Sequence, residues 1–169
     1  TAKARAGPSL FRDVQAFDQN KAAVVVTGME VFHGRIEDTF TPVIESKLAE
    51  YGAVMAMHTT LADDPAAITA AIQDMLAQGM DMVFCTGGMS VDPDDQTPLA
   101  IKNTSACMVS YGAPVLPGAM FLLAYAGDGR PIVGLPGCVM YAKRTIFDLV
   151  LPSLIADVPV TAEDLAGLG

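Results

Sequence analysis

Apolar positions in this chain follow two periods that take turns. Short runs rich in β-branched and apolar residues occur at Ala22–Thr27, Ala53–Thr60 and Met80–Cys85, and such runs read as strands. Between them, Val43, Ile44 and Leu48, then Ile68, Ile72, Met75 and Leu76, fall at helical spacing and mark one buried face each. The spacing predicts a helix capped by Asp38 or Thr39 and running to about Tyr51, where Gly52 stops it. Asp63-Asp64-Pro65 opens a second helix with proline in its first turn, and Gly79 ends it. A short helix is expected from Thr97-Pro98 to about Asn103. Further strands are expected at Cys107–Tyr111, Met120–Tyr125 and Ile132–Leu135. Pro136-Gly137 then leads into a last helix, from Cys138 to about Val150, with a weaker turn beyond Pro152.

Strands that alternate with helices of this length imply an α/β fold of three layers, α/β/α, around a mostly parallel sheet. In such a sheet ligands bind outside the carboxyl ends of the strands, near a switch in strand order. Four loops occupy those ends: Thr27–Gly34, Leu61–Asp64, Thr86–Asp95 and Pro136–Cys138. Together they bring Gly28, Glu30, Gly34, Asp63, Asp64, Gly87, Gly88, Ser90, Asp92, Asp94, Asp95 and Gly137 to one rim. Turns of any α/β protein collect glycine and acid, so one loop alone would signify little. Four together point to a site.

Composition narrows the partners. With 169 residues, 51% apolar and 17% charged, the chain suits one folded domain. A net charge of −9 argues against nucleic acid, whose binding needs clustered Lys and Arg. Between Ile36 and Ala142 the basic residues are Lys47, Lys102 and Arg130 alone. An anionic ligand would therefore rest on backbone N–H groups, helix N-termini and a bridging metal. No apolar run is long enough to span a bilayer, so no membrane partner is expected. Three cysteines without C-x-x-C spacing indicate neither a disulfide framework nor a zinc knuckle, and a cytoplasmic setting is the default. His33 and His58 show no metal-ligand spacing, and the ten methionines read as core filling. Residues 1–20 form an arm or linker from a preceding domain, 21–157 the α/β domain, and 158–169 a tail. The opening Thr1 reads as a fragment or processed product.

The richest stretch is Thr86-Gly87-Gly88-Met89-Ser90 through Asp95-Gln96-Thr97-Pro98. Glycines let backbone N–H groups approach a phosphate, and aspartates can hold a divalent cation beside it. No Gly-Lys-Ser/Thr follows, so this is not a P-loop, and it is not the G-x-G-x-x-G fingerprint.

These loops resemble the molybdopterin-binding domain shared by molybdopterin adenylyltransferase, the molybdenum insertase (molybdopterin molybdotransferase) and the competence-damage protein family. The resemblance runs from about Ala22 to Pro152. It rests on five elements in order: Thr27-Gly28-Met29-Glu30 through Gly34 to Asp38; Asp63-Asp64-Pro65; Thr86–Ser90 with Asp95–Pro98; Pro117-Gly118; and Leu135-Pro136-Gly137. It implies a pterin phosphate held on the Thr86–Ser90 loop. Gly28, Glu30, Thr86, Gly87, Gly88, Ser90, Thr97, Pro117, Gly118, Pro136, Gly137 and Cys138 would be the binding residues. Asp63 and Asp95 would be the catalytic and metal-holding pair, with Asp63 preferred over Asp64 on spacing. Mg2+ and ATP join the pterin in adenylyltransferase relatives. In insertase relatives molybdate is inserted as AMP leaves.

Two positions depart from the family pattern. Ala119 stands where a basic residue often follows Pro117-Gly118, and Cys138 replaces the asparagine after L-P-G. Losing a cation and an amide weakens a catalytic reading and leaves binding intact. Cys138 at a helix start, together with Cys85, would offer soft ligands near a bound metal; packing under the rim explains both more simply. The expected function is binding of molybdopterin or its adenylylated form in molybdenum cofactor biosynthesis, with Mg-dependent adenylyl transfer or molybdate insertion as its catalytic version. The alternatives are a metal-dependent dinucleotide pyrophosphatase of the competence-damage type and a non-catalytic assembly module. A homo-oligomer is expected in each case.

Overall fold

Lys21–Thr27, the first strand (β1), has six consecutive buried residues after its exposed lysine, so both its faces are covered. That burial pattern is what a central strand of a parallel sheet requires. A computed structural model gives the fold, described for residues 21–28, 34, 38–89, 95–112, 120–137 and 144–168. After β1 come α1 (Phe40–Ala49), β2 (Val54–Leu61), α2 (Pro65–Ala77), β3 (Met82–Thr86) and α3 (Thr97–Asn103). β4 (Cys107–Tyr111), β5 (Leu122–Tyr125), β6 (Pro131–Leu135), α4 (Ile146–Ile155) and α5 (Ala162–Ala166) complete the described elements.

The sheet has six strands in the order β2-β1-β3-β6-β5-β4. β2, β1, β3 and β6 run parallel, whereas β5 is antiparallel to both β6 and β4. It is a mixed sheet with one reversed strand, and β4 therefore points the same way as the parallel set.

One core lies between α1, α4 and α5 and a sheet face made by Val24, Val26, Met82, Phe84 and Val133. The other lies between α2 and α3 and the opposite face, with Ala23, Val25, Val83, Cys85 and Ile132. Helices on both faces give the three expected layers. Phe84 meets Phe147 edge-on with centroids 5.3 Å apart, which fixes α4 against β3. Lys47 of α1 reaches both oxygens of Asp148 at 2.7 Å, joining the two helices beneath the surface.

Helix ends follow their local chemistry. Asp38 accepts from the N–H groups of Phe40 and Thr41 at the start of α1. Asp64 accepts from Ala66 N at the start of α2, with Pro65 in the first turn. Gly52 and Gly79, just beyond α1 and α2, have φ of +76° and +91°.

The last long helix differs from the expected one. Thr145 is extended (φ −139°, ψ 179°) and forms a capping box with Asp148, so α4 begins at Ile146. A single helix from Cys138 to Val150 is thereby excluded. Pro152 lies within α4, which continues to Ile155. Beyond it, Val160 and Leu165 are buried in the first core, and Val160 N donates to the Tyr125 hydroxyl. No helix among the described residues is long and apolar enough to cross a membrane.

Candidate functional site

The chain leaves β1 toward α1, which packs in the first core, and leaves β3 toward α3, which packs in the second. Two adjacent parallel strands whose continuations depart on opposite faces define a switch point, where an open α/β sheet holds its crevice. Gly28, at the end of β1, donates its N–H to Leu61 O at the end of β2, tying two rim loops together.

Two hydroxyls and the glycine turn interlock there. The Thr27 hydroxyl donates to Thr86 O at 3.3 Å, and its oxygen stands 3.3 Å from Thr97 Oγ1. Thr97 Oγ1 in turn donates to Gly87 O at 2.7 Å. Gly87 has φ +89°, and a Cβ placed on it would lie 2.1 Å from Thr27 O, so only glycine fits. Gly88 also has a positive φ, of +57°, and a Cβ there would meet Thr97 Oγ1 at 3.1 Å and Asp63 Oδ1 at 3.5 Å. Loops that are distant in sequence thus meet around one turn.

Asp63 is the carboxylate aimed at that turn. Its neighbour Asp64 is engaged in capping α2. Partial desolvation, and then the nearby negative charge of Asp95, raise the Asp63 pKa above its ordinary value. Two like charges that sense one another in this way would be relieved by a cation. Among the described residues no third His, Cys, Asp or Glu joins them to complete a metal-holding group. Such a pair suits Mg2+, which commonly takes one or two carboxylates and draws its other ligands from water and substrate phosphates.

Thr86 departs from its expected place in the loop. It is the last residue of β3, fully buried, and among the described residues its Oγ1 has no hydrogen-bond partner. Such a group is exceptional in a folded interior. Pro136 is buried at the end of β6, beside an exposed Gly137. Glu30, Ser90, Pro117, Gly118 and Cys138 lie outside the described residues. Cys85 is fully buried in the second core, and burial pushes its thiol up to about 12. With no exposure toward the rim, it packs as a small apolar residue.

Two residues not singled out from the sequence belong to the same neighbourhood. Met89 turns inward from the Gly-Gly turn, its Cε 2.5 Å from where Gly134 would carry a Cβ, and so anchors the loop on β6. Tyr111 stands at the carboxyl end of β4, 43% exposed. Partial burial, then the charge of Asp95, raise its phenol above the ordinary value.

With this geometry in view, comparison with known proteins is informative. Residues 23–156 match the model of a family described as "Probable molybdopterin binding domain". The chain belongs to this family. A "Molybdenum cofactor biosynthesis bifunctional protein" of Synechococcus elongatus is 35% identical over 112 residues, covering 66% of this chain and 33% of that protein. A "CinA-like protein" of Mycobacterium tuberculosis is 39% identical over 77 residues, 46% of this chain and 18% of that protein. The chain thus spans a third or less of these curated relatives. Among solved structures, the CinA protein of unknown function from Thermoplasma acidophilum superposes with a TM-score of 0.67 at 18% identity, over 81% of this chain and 99% of that one. The molybdopterin biosynthesis enzyme MoaB of Thermus thermophilus gives 0.65 at 21%, over 83% and 99%. These structural likenesses show the fold. It is the fold of a molybdopterin-binding domain, in a chain related to molybdenum cofactor biosynthesis proteins and CinA-like proteins.

Proposed function

We propose that this molybdopterin-binding domain holds molybdopterin or its adenylylated form, with the ligand's phosphates at the Gly87-Gly88 turn and a Mg2+ ion between Asp63, Asp95 and those phosphates. The observation that carries this reading is the approach of Asp63 Oδ1 to within 3.5 Å of the Cβ position at Gly88, from a loop 25 residues upstream. A carboxylate facing a glycine turn repels a phosphate unless a cation lies between. The raised pKa of Asp63 fits a carboxylate whose charge a cation would relieve.

Each residue has a role in this reading. Thr27 and Thr97 fix the turn through the Thr86 and Gly87 carbonyls, so the turn is set before any ligand arrives. The positive φ of Gly87 and Gly88 brings backbone to the ligand without side-chain bulk. Asp63 and Asp95 would hold the metal. A bound Mg2+ would supply charge neutralisation and alignment of phosphate oxygens. ATP is the expected co-substrate if the domain transfers adenylyl groups, and molybdate if it inserts metal.

Isothermal titration of the purified chain with molybdopterin and with Mg·ATP tests the proposal, alongside mass spectrometry of protein purified from a molybdopterin-producing host. Asp63→Ala and Asp95→Ala should each weaken Mg-dependent binding by at least about tenfold, the usual loss when metal support is removed, with the fold intact. Parent-like affinity in both variants overturns the metal assignment. Release of a nucleoside monophosphate from a dinucleotide with no pterin present would replace this reading with a pyrophosphatase.

A further inference from the structure

The reversal of β5 has a consequence at the rim. Because β5 is antiparallel to both its neighbours, β4 ends at the same edge of the sheet as β1, β2, β3 and β6. Tyr111 is the last residue of β4 and so joins the ligand rim. Register fixes its face. Tyr111 pairs with Leu122, Leu122 with Gly134, and Gly134 with Cys85. Leu122 and Cys85 belong to the second core, the side on which α3 packs and Met89 lies.

Along that face a row leads outward from the glycine turn. Met89 covers the bare Cα of Gly134 on β6, Leu122 follows on β5, and Tyr111 closes the row on β4. Met89 and Leu122 are buried, at 5% and 0% exposure, but Tyr111 is 43% exposed. Three strand spacings, about 14 Å, separate β3 from β4, and a tyrosine side chain is long enough to cover part of that span. A phosphorylated heterocycle held by its phosphate at Gly87-Gly88 is of a size to bridge the remainder.

We infer that Tyr111 is the aromatic wall of this rim and stacks against the flat ring of the phosphorylated ligand, purine or pterin. The inference rests on the ligand reading proposed above and adds to it the group that recognises the ring. Tyr111 is a positioning residue that touches substrate and takes part in no bond-making step. The phenol also senses the charge of Asp95, in line with a place on the same side of the rim. An exposed tyrosine serves both ring types, since every such heterocycle offers a π face.

The experiment is equilibrium binding of three probes, Mg·ATP, molybdopterin and Mg·tripolyphosphate, to the parent, Tyr111→Phe and Tyr111→Ala, with sedimentation velocity on each. Base stacking on an aromatic residue corresponds to a loss of about 5- to 150-fold on alanine substitution. Tyr111→Ala should therefore weaken at least one ring-bearing probe by about tenfold or more, and leave any tripolyphosphate binding within twofold. Tyr111→Phe should stay within about threefold of the parent. Which of ATP and molybdopterin suffers identifies the ring. Parent-like binding of both ring-bearing probes by Tyr111→Ala overturns the inference while leaving the ligand reading intact. An equal loss for tripolyphosphate, or an oligomer that dissociates in Tyr111→Ala, also overturns it and assigns the ring to loop packing or a self-contact. No binding of ATP or molybdopterin by the parent overturns the ligand reading and this inference together.

Discussion

Replacing Gly87 with alanine probes the closest backbone approach at the rim, and the fold supplies its own control. Gly87 and Gly129 share a φ of +89°, yet a Cβ on Gly129 meets nothing within 4 Å, whereas one on Gly87 falls 2.1 Å from Thr27 O and 2.6 Å from Thr27 Oγ1. Both substitutions incur the left-handed penalty of an L-residue, about 1–2 kcal/mol. Gly87→Ala must in addition move β1 and β3 apart at their ends by roughly 1.3 Å or more to restore ordinary contact. That shift breaks or stretches the bonds from Thr27 Oγ1 to Thr86 O and from Thr97 Oγ1 to Gly87 O. At about 0.5–1.5 kcal/mol each, they add about 1–3 kcal/mol.

The expected loss is thus about 2–5 kcal/mol for Gly87→Ala against about 1–2 kcal/mol for Gly129→Ala. Urea unfolding followed by far-UV circular dichroism reads the difference as a shift in midpoint at constant m. In thermal unfolding the gap between the variants should approach about 4–8 °C for a domain of this size. Equal losses in the two variants would refute the reasoning, because only the approach to Thr27 distinguishes them. Mg·ATP or molybdopterin binding by any folded Gly87→Ala protein should also fall, since the turn proposed to receive phosphate has moved.

Two further perturbations test the electrostatics. A carboxyl whose pKa is raised in the folded state contributes stability that is fully present below its unfolded value, near 3.8, and is lost as pH rises through the folded value. Asp63→Asn should therefore be more stable than the parent at pH 7, with the gap closing toward pH 3.5 in urea titrations; a gap of opposite sign refutes the assignment. At the α1–α4 contact, the Lys47 and Asp148 side chains are 11% and 9% exposed. Asp148 also accepts from Thr145 N at 2.7 Å. Asp148→Ala strands a buried ammonium and removes half a capping box, so it should cost about 3–5 kcal/mol. Lys47→Met leaves Asp148 its helix terminus and should cost at least about 1 kcal/mol less, as urea midpoints would show.

Much of the fold is written locally. β1 and β3 were legible because continuous apolar runs of this length suit only strands buried on both faces. The ends of α2 were legible from Asp64-Pro65 and Gly79, each of which acts within its own turn. The starts of α4 and α5 were missed although the same signal precedes both: Thr145 with Asp148, and Thr161 with Asp164, are Thr-x-x-Asp capping boxes. At α4 the Pro136-Gly137 turn drew the predicted start too early, and Pro152 suggested an interruption that the helix absorbs. Strand order was beyond reach, because pairing of β6 with β3 and reversal of β5 depend on contacts distant in sequence. Tyr111 was missed for that reason. Its place on the rim exists only once β5 has turned back.

The acid at the rim also differs in kind from the acid elsewhere. Asp38 and Asp64 cap helices, Asp81 accepts from Lys21 N, Asp128 pairs with Arg130, and Asp148 pairs with Lys47 and accepts from Thr145 N. Each of these carboxylates lowers the energy of the fold that holds it. Among the described residues Asp63 takes no such partner, and the nearby charge of Asp95 makes its own less favourable. Next to it stand two glycines in left-handed conformation and a buried Thr86 hydroxyl without a partner among the described residues. Left-handed backbone alone does not mark the place, since Gly52, Gly79 and Gly129, and with them Ser105 and Asp157, adopt positive φ in other loops. What sets this turn apart is its coincidence with a carboxylate of raised pKa and a buried hydroxyl without a partner among the described residues, where β1 and β3 diverge and this topology opens a crevice. Charge left unmet in a crevice marks groups kept for a ligand, and a bridged phosphate would relieve Asp63 and engage the amides of the glycine turn in one event.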